Sequence, residues 1–200
     1  MKRILPTCLL LAACTAGLDG DGVPTVLLET ETGDIQIDVY PDRAPISAED
    51  FLLHVEEGLY DGQSFYRVVR ADNDPRGMGM SLIQGGRTDR EMVRPTIAHE
   101  RTTDIGLSNT RGSVSIARLE PGTGSAGFFF INIGDNGFLD TGGSRNPDGE
   151  GYAVFGRVVS GMDVVEAIQA GDTRPDSDDA ATRGQMLAAP VIITRAVRLD

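Results

Sequence analysis

Arg67 lies in Phe65-Tyr66-Arg67-Val68-Val69, and Gln84 lies in Ile83-Gln84-Gly85-Gly86. Both runs are apolar and strand-like, so the two polar side chains are carried on stiff backbone. A guanidinium is a permanent cation with its donors in a fixed fork, and an amide offers a donor and an acceptor. No nucleophile motif and no metal-ligating cluster accompanies them. His54 and His99 stand apart from any Ser or Cys motif, which gives them solvated or hydrogen-bonded roles rather than a place in a triad. The chemistry open to the pair is therefore non-covalent: orienting a bound group and polarising it. Taken alone, an exposed Arg on a barrel strand would look the same.

The rest of the chain separates these readings. Ala117-Arg118 is followed by Phe128-Phe129-Phe130-Ile131-Asn132, then Phe138-Leu139-Asp140, then the run from Tyr152 through Phe155-Gly156-Arg157 to Val159. In this order and spacing the segments resemble the cyclophilin family of peptidyl-prolyl isomerases, from about Val26 to the C-terminus. The resemblance implies rotation about X-Pro bonds, which is slow because partial double-bond character sets a barrier of roughly 18–20 kcal/mol. A donor aimed at the prolyl nitrogen stabilises it as resonance is lost. By the family pattern Arg67 is that catalytic donor, and Gln84 holds both the substrate backbone and the Arg. The apolar proline pocket falls to Leu82, Phe130, Leu139 and Phe138. Phe65, Ala117, Arg118, Phe128 and Tyr152 complete the substrate-binding set, while Phe129 points the other way into the core. No cofactor or metal is implied.

Three positions depart from the pattern. Tyr66 replaces a His, a change expected to touch only the rim. The segment between Arg67 and Gln84 is longer than usual, and Ser81 stands where the family has a Phe, so a pocket wall is missing unless Met80 or Met78 folds in. Phe128 replaces a Gln and cannot hydrogen-bond a substrate. These changes predict reduced activity, altered tolerance for the residue before proline, and weak cyclosporin binding. The alternative is a catalytically weak or inactive proline-peptide binding module or chaperone of the same fold.

The elements that must position these side chains are mostly strands. Residues 26–29 and 34–40 flank a turn, and Ile35, Ile37 and Val39 alternate with polar neighbours as a half-buried strand requires. Ser47 reads as the cap of a helix with Asp50 three residues on and an apolar stripe of Phe51, Leu52 and Val55, ended by Gly58. Residues 71–81 and 171–184 read as loops and 109–112 as a turn into a strand. Residues 161–170 form a second helix with Met162, Val165 and Ile168 or Ala167 inward, and 190–199 form the last strand. Many short strands with only two helices describe a mainly β fold, a closed antiparallel barrel. The resemblance makes it an eight-stranded barrel capped by two α-helices.

The ends and the composition bound the rest. Met1-Lys2-Arg3, a short apolar run and Leu11-Ala12-Ala13-Cys14 read as a lipoprotein signal over residues 1–13, with Cys14 lipidated. The apolar run is too short to span a bilayer. Residues 14–24 form the lipidated Cys and a Gly- and Asp-rich tether, and 25–200 the cyclophilin-like domain. This places the protein on the periplasmic side of the cell envelope, and Thr15 after the Cys favours the outer membrane. The only other Cys is Cys8, so the body has no disulfide, thiol nucleophile or zinc thiolate. With 18 basic and 30 acidic residues and one Lys, the chain excludes a phosphate-binding surface and nucleic acid. Asp72-Asn73-Asp74 and Asp176-Ser177-Asp178-Asp179 resemble fragments of calcium loops, but the first lacks the remaining ligands. The expected partners are proline-containing unfolded or exported polypeptides, and the expected state is a monomer, since no heptads or long apolar stripe occur.

Overall fold

The computed structural model describes residues 22–87, 94–175 and 182–199. The signal-like segment, Cys14, most of the tether and the acidic run 176–179 lie outside these. Eight strands form one closed antiparallel barrel: β1 (Thr25–Thr30), β2 (Gly33–Val39), β3 (Ser64–Val69), β4 (Leu82–Gly86), β5 (Ser113–Ile116), β6 (Phe128–Asn132), β7 (Val154–Ser160) and β8 (Met186–Arg198). Their order around the barrel is β1-β2-β7-β5-β6-β4-β3-β8. Closure leaves no unpaired edge. The alternation in β2 is realised, with Ile35, Ile37 and Val39 fully buried.

The last strand begins four residues earlier than its β-branched run suggests, and it pairs with both β1 and β3. Pro190 sits where the β3–β8 register shifts, so its missing N–H removes no regular ladder bond. Among the described residues there are three α-helices rather than two, α1 (Pro45–Glu56), the single turn α2 (Thr102–Ile105) and α3 (Met162–Gln169), and a short 3-10 helix at Gly137–Leu139. In α3 it is Ile168, not Ala167, that is buried beside Val165.

The start of α1 differs from the sequence expectation in an instructive way. The helix begins at Pro45, whose fixed φ suits the first turn, and Ser47 makes no cap bond. The amides of Ile46 and Ser47 instead donate to the two carboxylate oxygens of Glu100, at 3.1 and 2.8 Å. A carboxylate is well placed at a helix N-terminus. Asp50 is likewise no capping partner, because its Oδ2 accepts the Ala126 amide at 2.7 Å. These three bonds tie α1 to distant loops, and the Glu100 pair is a kind of cap that local sequence cannot display.

The core is built on aromatic side chains from α1 and the strands. Phe51 packs on Tyr60, Phe129 and Phe155 with ring centroids 4.8–5.8 Å apart. The α1 helix lies against β7 and β8, and α3 against β2, β3 and β4. The Gly-Gly at the end of β4 is sterically required. A Cβ on Gly85 would sit 2.6 Å from the Phe65 ring, and one on Gly86 (φ +109°) would sit 2.2 Å from the Gly127 carbonyl oxygen.

Replacing Phe51 by Ala removes the ring shared by these contacts. Chemical denaturation is expected to report a loss of about 3–5 kcal/mol; a loss below about 1 kcal/mol would show that the core collapses around the gap.

Candidate active site

A bulge in β3 makes the site possible. The register shifts between Phe65 and Arg67 against both β4 and β8. An extra residue re-aims the side chains that follow it, and Tyr66 and Arg67 both line the same groove. Phe65 was expected with the substrate-binding residues, but it faces the barrel interior. It is fully buried and packs edge-on against Phe129.

The Arg67 guanidinium is held by two neutral amides. Its Nη1 donates to Gln84 Oε1 at 2.7 Å, while Nε and Nη2 both donate to Gln185 Oε1, at 2.9 and 2.7 Å. These acceptors fix the orientation of the fork. Gln84 is itself oriented, since its Nε2 donates to the Tyr66 hydroxyl at 3.0 Å. Tyr66 therefore acts closer to the chemistry than a rim residue would.

Gln185 escaped the sequence analysis. It is wholly buried, its Nε2 donates to the Asn73 carbonyl at 2.9 Å, and its own carbonyl accepts the Val68 amide at 2.8 Å. It lies 118 residues from Arg67 in a polar stretch with no motif, and only the pairing of β8 with β3 brings the two together.

Beside the guanidinium lies an apolar pocket. Val69, Met80, Leu82, Phe130 and Leu139 form a buried cluster distinct from the barrel core, flanked by Ala117, Phe138 and Tyr152. Met80 fills the wall left open by Ser81 and is only 4% exposed. Ser81 turns away, and its Oγ accepts Nε2 of Gln169 on α3 at 2.9 Å. Asp74 shapes the loop that delivers Met80: its carboxylate accepts the amides of Arg76, Met78 and Met80 at 2.8–3.2 Å. Partial burial pushes the Asp74 pKa up, but these amides and the Arg145 charge outweigh it, so the pKa lies below the usual range and the tether stays ionised. Phe138 packs against the same cluster from its flank.

The groove has a volume of about 840 Å³ and also runs past Ala117, Arg118, Phe128 and Tyr152. Except for Phe65, the expected substrate-binding residues thus line this cavity or, for Phe138, pack against its apolar cluster. Arg118 is part of its wall. The side chain is 2% exposed, its Nε donates to the Gly151 carbonyl at 2.7 Å, and its other nitrogens meet Asp148 at 2.9 and 3.0 Å. Its guanidinium carbon lies 5.3 Å from the Tyr152 ring centre, and Tyr152 meets Phe130 edge-on.

Both histidines lie outside this groove and are hydrogen-bonded. His54 Nδ1 lies 2.7 Å from the Asp50 carbonyl, and burial lowers the pKa of its ring. His99 Nε2 lies 2.8 Å from the Glu150 carbonyl. In the 72–74 segment, the Asp74 carboxylate and the Asn73 amide are occupied by backbone groups. Among the described residues no three His, Cys, Asp or Glu side chains come together as a metal site.

The model of the cyclophilin type peptidyl-prolyl cis-trans isomerase family matches residues 25–195. The chain belongs to this family. It is 35% identical to peptidyl-prolyl cis-trans isomerase A of Dickeya dadantii over 98% of this chain and 96% of that one. It is 36% identical to peptidyl-prolyl cis-trans isomerase B of Escherichia coli over 72% and 83%. A cyclophilin of Cryptosporidium parvum shares the fold at 18% identity with a TM-score of 0.66, covering 88% of this chain and 98% of that structure. This cyclophilin is accordingly an enzyme of prolyl isomerisation.

Replacing Gln185 by Ala is expected to leave the fold intact, shown by an unchanged circular dichroism spectrum, while kcat falls about tenfold to a hundredfold as Arg67 loses its fixed orientation. Restoration by Asn or Glu at this position would not be equivalent, because one is shorter and the other neutralises the cation. An unchanged kcat would limit Gln185 to packing.

Proposed function

We propose that this cyclophilin is a lipid-anchored isomerase on the periplasmic side of the cell envelope, acting on exported polypeptides before they fold. Arg67 is the catalytic group. One observation carries that assignment: a guanidinium clamped by two amide oxygens beside an apolar pocket. The proline ring occupies the pocket of Met80, Leu82, Phe130 and Leu139. Ring burial holds the prolyl side while Arg67 donates to the nitrogen as it pyramidalises. Gln84, already fixed by Tyr66, offers its remaining hydrogen-bonding capacity to the substrate backbone. Ala117, Arg118, Phe128 and Tyr152 form the rest of the groove, and the reaction uses no cofactor. A solved Cryptosporidium parvum relative was crystallised in the presence of the dipeptide Ala-Pro, which supports a proline peptide as occupant.

The anchor rests on sequence: a basic start, a short apolar run and Leu-Ala-Ala before Cys14. Lipidation there would hold the barrel at a membrane, with the outer one favoured by Thr15. Replacing Cys14 by Ala is expected to move the protein from the membrane fraction to the soluble fraction; retention on the membrane would remove the lipoprotein reading.

A second reading, a module that grips proline segments with little turnover, is favoured by Phe128, which gives a substrate no hydrogen bond. A protease-coupled isomerisation assay separates the two. Turnover by the wild type that falls about 10²–10³-fold in Arg67→Ala, with thermal stability retained, is the expected result. Absence of turnover from a folded wild type would install the binding module, and a collapse of stability in the variant would recast Arg67 as structural.

A further inference from the structure

Arg118 lines the groove, yet its guanidinium is occupied by the protein itself. Nε donates to the Gly151 carbonyl at 2.7 Å, and Nη1 to the Leu119 carbonyl at 3.1 Å and to Asp148 Oδ2 at 2.9 Å. Nη2 donates to Asp148 Oδ1 at 3.0 Å, so the carboxylate is gripped at both oxygens. A bidentate pair of this kind fixes a guanidinium in plane as well as in position. Asp148 is fixed in its turn, because Oδ1 also accepts the Glu150 amide at 2.8 Å. The Arg118 hydrogen bonds hold the Asp148 pKa below the usual carboxylate range, so the pair is ionised at neutral pH. Glu150, the next carboxylate along, is engaged by Arg101 at 2.7 Å.

Two loops meet at this pair. Arg118 belongs to the loop after β5, beside the groove residues Ala117 and Leu119. Asp148 and Gly151 belong to the segment between the 3-10 helix and β7, which ends in Tyr152. The Tyr152 amide donates to the carbonyl of Leu139, a wall of the apolar pocket, at 2.9 Å. The Tyr152 ring lies 5.3 Å from the Arg118 guanidinium carbon and meets Phe130 edge-on at 5.4 Å between centroids. Asp148, Arg118, Tyr152 and Phe130 thus form one continuous stack from the outer loop to the pocket.

We infer that Asp148 is a positioning residue of the groove: through Arg118 it fixes the Tyr152 wall and the spacing of the two loops, and so the affinity for a proline segment. The inference rests on the isomerase reading of the same groove and adds Asp148 to the residues that shape it. It also changes the role of Arg118 from a substrate ligand to a brace. A guanidinium stacks on an aromatic ring only while its plane is held, and the carboxylate holds it. Without Asp148, the bonds from Arg118 to the Leu119 and Gly151 carbonyls remain, but the fork that sets the plane is lost. The donor at the prolyl nitrogen is fixed separately, since Arg67 is clamped by Gln84 and Gln185. Asp148 therefore acts on how tightly a segment is bound and not on how fast the bound X-Pro bond turns.

The test titrates an Ala-Pro-Phe peptide by NMR, which reads Kd and the isomerisation rate of the bound peptide separately. It compares the full wild-type chain with Asp148→Asn, Arg118→Gln and the double variant. In each single variant Kd is expected to rise about three- to tenfold while the rate on the enzyme stays within about twofold. The double variant is expected to bind no more weakly than Arg118→Gln, because two residues that act through one contact do not add. Fluorotyrosine labelling gives four resonances, one for each Tyr, and that of Tyr152 is expected to move in Asp148→Asn before any peptide is added. If Asp148→Asn does not fold, Arg118→Lys keeps the charge, loses the fork and carries the same Kd expectation. An unchanged Kd, additive single effects, or a slower rate at unchanged Kd would overturn the inference. Absence of turnover in the wild type would remove the isomerase reading alone, since the Kd series still decides the role of Asp148.

Discussion

An aimed guanidinium donor must be held rigidly, and that constraint organises the fold around Arg67. Two amide oxygens hold its fork. They come from β4 and from the residue just before β8, the two strands that flank β3 in the closed barrel. Barrel closure is thus what brings Gln84 and Gln185 to opposite sides of one side chain. The β3 bulge then turns Tyr66 and Arg67 together toward the groove, and the Tyr66 hydroxyl fixes the Gln84 amide in turn.

The apolar pocket is held by polar groups behind it. Asp140 follows Leu139, and its carboxylate accepts from Ser108 and from the amide and side chain of Asn109. Asn109 accepts Ser115 at 2.8 Å, and Asn132 donates to both Asn109 and Ser113. Asn136 joins Asn132 to the Ser81 carbonyl, beside Met80. Buried polar groups that satisfy one another in this way specify one arrangement, since breaking any bond strands a desolvated partner. Leu139 and Met80, on two unrelated loops, are placed by this shared network together with the Asp74 tether.

The parts of this design legible in the sequence were those governed by local pattern. The alternation in β2, the aromatic run of β6 and the Arg67 and Gln84 runs identify strands and a site, because strand periodicity and motif spacing are properties of short segments. The parts that escaped depend on pairs remote in the chain. Phe65 alternates like a groove residue until the bulge reverses its neighbours. Gln185 has no motif at all. Glu100 caps α1 from more than fifty residues away, leaving the Ser47 hydroxyl without a partner. Met80 was one of two candidates for the vacant wall, and the choice was made by three backbone amides around Asp74, whose own role resembled a calcium-loop fragment.

The exchange of a Gln for Phe128 is narrower in effect than its position suggests. The Phe128 backbone still accepts the Ala117 amide at 2.9 Å, so the β5–β6 link that shapes the groove is preserved. Only a directional side-chain bond is lost. Its replacement widens the apolar surface of the groove, where Leu119 is also 88% exposed. Hydrophobic contact is non-directional, whereas a hydrogen bond is directional. On the proposed reading, recognition shifts from matching one substrate atom toward tolerance of many backbones around a fixed proline, which would suit unfolded substrates. The Arg67 clamp and the pocket of Met80, Leu82, Phe130 and Leu139 contain no atom of Phe128, so on the proposed reading the exchange bears on the groove and not on the donor.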